Sequence, residues 1–343
     1  MSPYAIQKLP MLICNAKKTT NDDGFAIIGY RADGRSIGRL FSILILLASA
    51  IGIYGNGPAR ADWRTDIGTF RIGVVAKGNV DDTYAKIEPF RLAIAEALGL
   101  NVEIFIAKNY RALINAHIAA RIEYAVYSAT AYASAWKNCE CVEPIVIPKS
   151  YDGAESYKSV IIASQDGPEK LSELVGSKMT GLSKSSFAGH KFAVFELKAS
   201  GVALPQSIAF SDSGEEAISA FVSGKYNAII GWSSLTGDPG EGYSSGTLKL
   251  IAEQNGGTSI PYKIIWQSSP IPHRPHVVRK NLAGEAKILL RDTLSAMFDS
   301  DPVAYDAIEP VFGGGFVVAR HGQFLPVLKY VETLAPIKTP DSN

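Results

Sequence analysis

The sequence predicts an α/β fold with largely parallel sheets, divided between two domains. Three observations carry this. From residue 69 onward, short apolar runs rich in β-branched residues alternate with segments of helical periodicity, the rhythm of strands feeding helices. Caps, glycine stops and prolines fall between them, where such elements begin and end. The chain has 343 residues, 47% hydrophobic and 20% charged, which is globular composition and more length than one domain usually takes.

Taken in order, "TFRIGVVA" (69–76) reads as a buried strand. "PFRLAIAEALG" (89–99) reads as a helix, with Pro89 in its first turn and Gly99 as its stop. "NVEIFIA" (101–107) is a second strand, and "NYRALINAHIAA" (109–120) a helix capped by Asn109. "IEYAVYS" (122–128), "TAYASAWK" (130–137), "CVEPIVIP" (141–148) and "YKSVIIAS" (157–164) read as strand, helix, strand and strand. "KLSELVG" (170–176), "KMTGLS" (178–183) and "SFAGHKFAVFELKASG" (186–201) follow as helix, strand and helix. "QSIAFS" (206–211), "GEEAISAFVSG" (214–224) and "YNAIIGW" (226–232) continue as strand, helix and strand. Beyond residue 275 come "PHVVRKNL", the helix "GEAKILLRDTLSAMF" and a late "QFLPVLKYVETL".

The amino end differs. Arg35 and Arg39 precede an uncharged apolar run from Leu40 to Tyr54, followed by Gly55, Gly57, Pro58 and Ala59-Arg60-Ala61. A basic flank, a short apolar core and a small-residue end make a secretory signal, with cleavage expected after Ala61. An uncleaved anchor is the alternative, but the run is short for a span of about 20 residues. An extracytoplasmic, periplasmic location follows. A net charge of +1 gives no bulk attraction for nucleic acid, so no such partner is expected. Cys139 and Cys141, two apart, read equally as a disulfide or as two thiols.

In open parallel sheets ligands sit at the carboxyl ends of strands, where loops feed helices. "GLSKSSFAGH" (181–190) is such a junction. The first amides of a helix lack internal partners and sit at the positive end of its dipole, so they favour anions. Hydroxyls of Ser183, Ser185 and Ser186, with the Lys184 ammonium, would complete a cradle for a tetrahedral oxyanion. An ordinary serine cap is the plain alternative.

Five stretches together carry a resemblance: "YKSVIIAS", "LSELVGSKM" (171–179), "KSSFAGH" (184–190), "SGEEAISAFVSGKYNAIIG" (213–231) and "WQSSPIPHRPHVVRKNL" (266–282). Their order and spacing resemble the periplasmic substrate-binding component of phosphate/phosphite/phosphonate ABC importers. The resemblance implies a two-lobed type II periplasmic-binding-protein fold with two hinge crossover strands. Lobe one would be 66–160 plus 262–337 and lobe two 161–261, after an upstream and signal segment at 1–61. It implies capture of a small oxyanion in an interlobe cleft and delivery to an inner-membrane ABC permease, by a monomer without cofactor. A sensor feeding a membrane receptor is the alternative use of the same scaffold.

By the same resemblance, Ser185 and Ser186 match the first two positions of the turn that grips phosphoryl oxygens. Tyr110 and Tyr127 match aromatic contacts of the first lobe, and Tyr157 the hinge tyrosine. The departures are informative. Leu182-Ser183 stand where the turn usually opens with Asp-Pro, and Phe187-Ala188 replace its closing Ser-Gly. The family's histidine falls on Gly214. Its acidic partners for an aminoalkyl tail fall near Ser234 and on Arg274, which argues against a cationic tail and offers Arg274 as added positive charge.

Other motifs weigh less. "SAWK" (134–137) lacks the companion motifs of acyl enzymes, and a helix-face serine is expected there. His273-Arg274-Pro275-His276 lacks further metal ligands and reads as a solvated loop. "FGGGF" (312–316) lacks the ending of a phosphate loop and reads as a flexible turn. With no nucleophile–base pair and no metal site, an enzyme is not expected.

Overall fold

The computed structural model describes residues 62–334, apart from 77 and 258–260. The signal segment with its expected cut after Ala61, and Cys14, lie outside these residues.

The apolar runs form strands and the periodic segments helices, in the order of the alternation. A short α1 (Trp63–Ile67) leads into β1 (Thr69–Val75), α2 (Val80–Leu98), β2 (Asn101–Ala107), α3 (Tyr110–Ile118), β3 (Tyr124–Val126), α4 (Ala129–Cys139) and β4 (Val142–Pro148). The chain then enters a second sheet with β5 (Ser156–Ser164), a 3₁₀ turn Leu171–Gly176, β6 (Met179–Gly181), a π-turn Phe187–Lys191 continued by α5 (Phe192–Ala199), β7 (Ala209–Phe210), α6 (Gly214–Val222), β8 (Ala228–Ser233), α7 (Thr247–Gln254), β9 (Tyr262–Gln267) and β10 (Ile271–Pro272). It returns through β11 (His276–Arg279), α8 (Gly284–Ser300), α9 (Pro302–Ile308), β12 (Phe316–Val318), a 3₁₀ turn His321–Phe324 and α10 (Leu325–Glu332).

α2 starts earlier than the sequence suggests. Asn79 caps it by accepting the Asp81 N–H, and Asp81 and Asp82 occupy the positive first turn. Pro89 therefore lies inside the helix, where it withholds one backbone donor. Cys139 and Cys141 are joined by a disulfide at the end of α4.

The first sheet runs β12-β4-β11-β3-β1-β2, and the second β10-β5-β8-β6-β7 with β9 on β5. Both are mixed, which corrects the expectation of largely parallel sheets. β1 pairs parallel with β2 and β3, and β6 with β7 and β8. β11, however, is inserted antiparallel between β3 and β4, and β5 is antiparallel to β8, β9 and β10. The reason is the double crossing: β9 runs back along β5, and the returning chain enters the first sheet from the opposite end. β5 and β9 are thus the crossover strands.

Each sheet is covered on both faces, so its strands are apolar on both. In the second sheet Val160 and Ile162 pack with Ile218, Phe221, Leu248 and Ile251 on one side. Ile161, between them, packs with Leu174, Met179 and Leu197 on the other, the two-residue period of a strand. In the first sheet Phe70, Phe90, Ile94, Leu290 and Leu294 form one layer. Leu113, Tyr132, Phe324 and Leu328 form the opposite one, which Ala188 and Phe192 join from the second sheet's side.

One buried group makes stability depend on acid. His117 is fully buried, its Nδ1 3.1 Å from the Tyr127 hydroxyl. Burial first, and the Arg279 guanidinium second, lower its pKa from 6.5 to about 3. A histidine held neutral in the fold contributes stability that is complete above its unfolded pKa. That contribution is lost as pH falls from about 6.5 towards 3, to the order of several kcal/mol. Urea unfolding at pH 7, 5 and 4 is expected to show a steeper loss for the wild type than for His117→Met. Parallel losses would contradict this.

Candidate functional site

Strands β4, β6 and β8 end towards one another, and a cavity of about 440 Å³ lies beyond those ends. This is where α/β folds place ligands. From the second sheet its wall receives Ser186, Phe187 and Ala188 after β6, Trp232 at the end of β8, and Ser245 before α7. From the first sheet's side come Ser150 and Tyr151 after β4, and Val311 and Phe312 after α9. Tyr157 of β5 and His273 after β10 stand at the crossovers. The cleft is bridged: the Tyr151 hydroxyl donates to the Ser244 carbonyl at 3.1 Å, and the Phe187 ring meets Tyr330 edge-on at 5.2 Å.

The 181–192 junction is built from short-range hydrogen bonds. The Ser186 N–H donates to the Ser183 carbonyl at 3.1 Å, and Ser186 Oγ accepts the Gly189 N–H at 3.0 Å. The Lys191 N–H reaches back to the Ser186 carbonyl at 3.1 Å, closing the wide π-turn. A Cβ at Gly189 would come within 2.8 Å of Ser186 Oγ, so glycine permits the cap. Phe187 and Ala188 are the first two residues of the helical segment, and their amides donate to none of these bonds. Ser186 Oγ also keeps its own proton to donate. The turn thus offers hydrogen-bond donors at the positive end of a helical segment, on a cavity wall.

The other hydroxyls of the stretch do not line the cavity. Ser183 Oγ and Ser185 Oγ bond each other at 2.8 Å, and Ser185 is exposed. Lys184 is exposed too; its carbonyl accepts from His190 Nδ1–H at 3.0 Å. Of the four cradle residues read from the sequence, Ser186 alone stands in the cavity wall.

The three tyrosines separate similarly. Tyr157 lines the cavity, stacked on His273 and edge-on to Trp232 at 5.6 Å. Tyr127 is fully buried, its hydroxyl spent on His117. Tyr110 opens α3, 37% exposed, and leans on Tyr127 rather than the cavity.

Arg274 stands elsewhere. Its Nε lies 3.2 Å from Oε1 of the fully buried Glu309, and it lines a separate cavity of about 200 Å³ with Lys86 and Ile87. It faces an internal carboxylate and is not among the residues that line the larger cavity. The histidines flanking it are not solvated either: His273 is 6% and His276 0% exposed. His273 Nδ1–H donates to the Pro148 carbonyl at 2.9 Å, and burial lowers its pKa, leaving a neutral ring whose Nε2 is an acceptor. The Phe312–Phe316 glycines, expected as a flexible turn, brace the cleft instead. A Cβ at Gly314 would lie 2.1 Å from the Ser150 carbonyl, and Lys149 exchanges backbone bonds with Gly314 and Gly315 at 3.1 and 2.8 Å. This close approach fixes Ser150 and Tyr151 at the cavity.

Trp232, His273, Phe312, Ser150, Tyr151, Ser245 and Val311 were missed from sequence. Trp232 had a signal, an aromatic at the carboxyl end of the apolar "AIIGW" strand; the loops had none, since their meeting joins segments far apart in the chain. Among the described residues no group of three or more His, Cys, Asp or Glu is arranged to hold a metal. No helix among them is long and apolar enough to cross a membrane.

Two mixed sheets joined by two crossover strands, with a cavity where they face, define a two-lobed solute-binding protein. Solved structures share this fold. XAC2383 from Xanthomonas citri bound to ATP is 16% identical, covering 77% of this chain and 97% of that one, with a TM-score of 0.52. A TctC solute binding protein from Polaromonas is 15% identical, covering 78% and 98%, with a TM-score of 0.50. The family model described as "ABC transporter, phosphonate, periplasmic substrate-binding protein" matches residues 72–321. The chain belongs to that family: it is a substrate-binding component of phosphonate ABC transport.

Proposed function

We propose that this protein holds the phosphonyl group of its ligand at the 186–188 turn. Ser186 Oγ–H and the amides of Phe187 and Ala188 donate to the oxygens, and Tyr157 covers the group from the crossover. The observation that carries this is the start of the 187–199 helical segment opening on the cavity between the sheets. Residues 66–160 with 262–337, and 161–261, act as the two lobes. Ligand contacts from both favour the closed form, and the closed form is what the permease meets. The protein is exported to the periplasm with cleavage after Ala61, works as a monomer and catalyses no reaction.

Calorimetry tests this with methylphosphonate, phosphite, phosphate, sulfate and acetate. Methylphosphonate or phosphite is expected to bind at least about tenfold more tightly than acetate, because a tetrahedral anion engages several donors at once. Absence of binding by every tetrahedral oxyanion would reject the assignment of the turn.

A further inference from the structure

The cavity is far larger than a phosphonyl group needs, and its chemistry changes away from the 186–188 turn. At about 440 Å³ it falls within the ~300–1,000 Å³ range of pockets that take drug-sized ligands. It has this volume although Tyr151–Ser244 and Phe187–Tyr330 contacts bridge the cleft. Beyond the turn the wall is aromatic and apolar: Tyr157, Trp232, Phe312 and Val311. Among the described residues no Asp, Glu, Lys or Arg lines it. Asp152, Glu309 and Glu155 act on His273 electrostatically, but none of the three lines the wall. The polar groups that do are hydroxyls and a histidine, none of them a carboxylate.

A cationic substituent would lose its hydration here with no carboxylate on the wall to pair with, and only ring faces to offset that cost. The rings also pair with one another: Tyr157 stacks on His273, meets Trp232 edge-on, and His273 meets Phe312 at 4.8 Å. These rings form one continuous aromatic wall, against which a flat or branched apolar group can pack. From this we infer that the ligand is a phosphonate bearing an uncharged apolar substituent of aryl or bulky alkyl size, seated against Trp232, Tyr157 and Phe312. This rests on the oxyanion reading of the 186–188 turn and deepens it.

The test is calorimetric competition on the mature protein with methylphosphonate, phenylphosphonate, 2-aminoethylphosphonate and its trimethylammonium analogue, with benzyl alcohol as the apolar group alone. Phenylphosphonate is expected to bind at least about tenfold more tightly than methylphosphonate, from the apolar area it buries, and more tightly than either cationic ligand. In Trp232→Ala the ratio of phenylphosphonate to methylphosphonate affinity falls towards one. Phe312→Leu, which keeps an apolar side chain, is the second variant should the first not fold, and lowers the ratio less. Equal or tighter binding of methylphosphonate or of a cationic ligand overturns the inference and leaves the oxyanion reading standing. A ratio unmoved by both variants also overturns it. Binding of benzyl alcohol as tight as phenylphosphonate, or of no phosphonate at all, overturns both.

Discussion

Replacing Ser186 with aspartate is expected to abolish phosphonate binding while leaving the protein folded. Ser186 caps the helical segment by accepting the Gly189 N–H at 3.0 Å. Aspartate is at least as good a cap as serine, and its charge is favourable at a helix start, so the melting temperature should hold or rise slightly. The same charge would occupy the place proposed for a phosphonyl oxygen. Two unit charges about 4 Å apart repel by about 4 kcal/mol at an effective dielectric of about 20. That corresponds to a loss of about a thousandfold in affinity. Ser186→Asn, neutral and equally able to cap, isolates the charge, and should lose only about tenfold by removing one hydroxyl donor. Calorimetry on both variants reads the difference. If aspartate and asparagine bind methylphosphonate alike, the oxyanion does not sit there.

The second large effect lies in the interior. Glu309 is fully buried, and its Oε1 accepts from His276 Nε2–H at 2.8 Å and pairs with Arg274 Nε at 3.2 Å. That bond fixes the His276 tautomer, so its Nδ1 accepts the Tyr124 hydroxyl. Burial, ahead of the opposing pull of Glu309, lowers the His276 pKa and keeps the ring neutral. The cluster ties β3 and β11 to the segment after α9, and the Phe312 N–H donates to the Glu309 carbonyl at 3.2 Å. Glu309→Leu strands a largely buried guanidinium and an imidazole N–H. Breaking one side of a buried pair costs about 3–5 kcal/mol, a fall in melting temperature on the order of 10 °C for a chain of this size. Glu309→Gln keeps an acceptor for His276 and should lose less. Because Val311 and Phe312 follow directly, weaker ligand binding is expected with the leucine variant as well. A melting temperature within about 1 °C of wild type would show that the cluster is not held as described.

Alternation of β-branched runs with periodic segments was enough to read an α/β fold, because burial on both faces demands continuous apolar strands. Strand direction was not legible. β11 between β3 and β4 depends on where the returning chain re-enters the first sheet, which no local pattern records. The same division holds in the cleft. That Ser186 would stand on the cavity wall was legible because a cap and a helix start are local events, and the same place for Tyr157 because the family resemblance marked its strand. Ser183 and Ser185 carried the same local signal, yet their hydroxyls bond each other and neither lines the cavity. Arg274 looked available because its partner, Glu309, is 35 residues further on. His273 and the Gly313–Gly315 backbone contacts were hidden for the same reason: their burial arises from loops that meet only in the folded chain.

The position of the bound anion decides the matter most directly. A crystal structure of the mature protein grown with methylphosphonate should place phosphonyl oxygens about 2.7–3.1 Å from Ser186 Oγ and the Phe187 and Ala188 nitrogens, with the methyl group towards Trp232. Phosphonate density anywhere else in the cleft, with that turn contacting only water, would contradict the account.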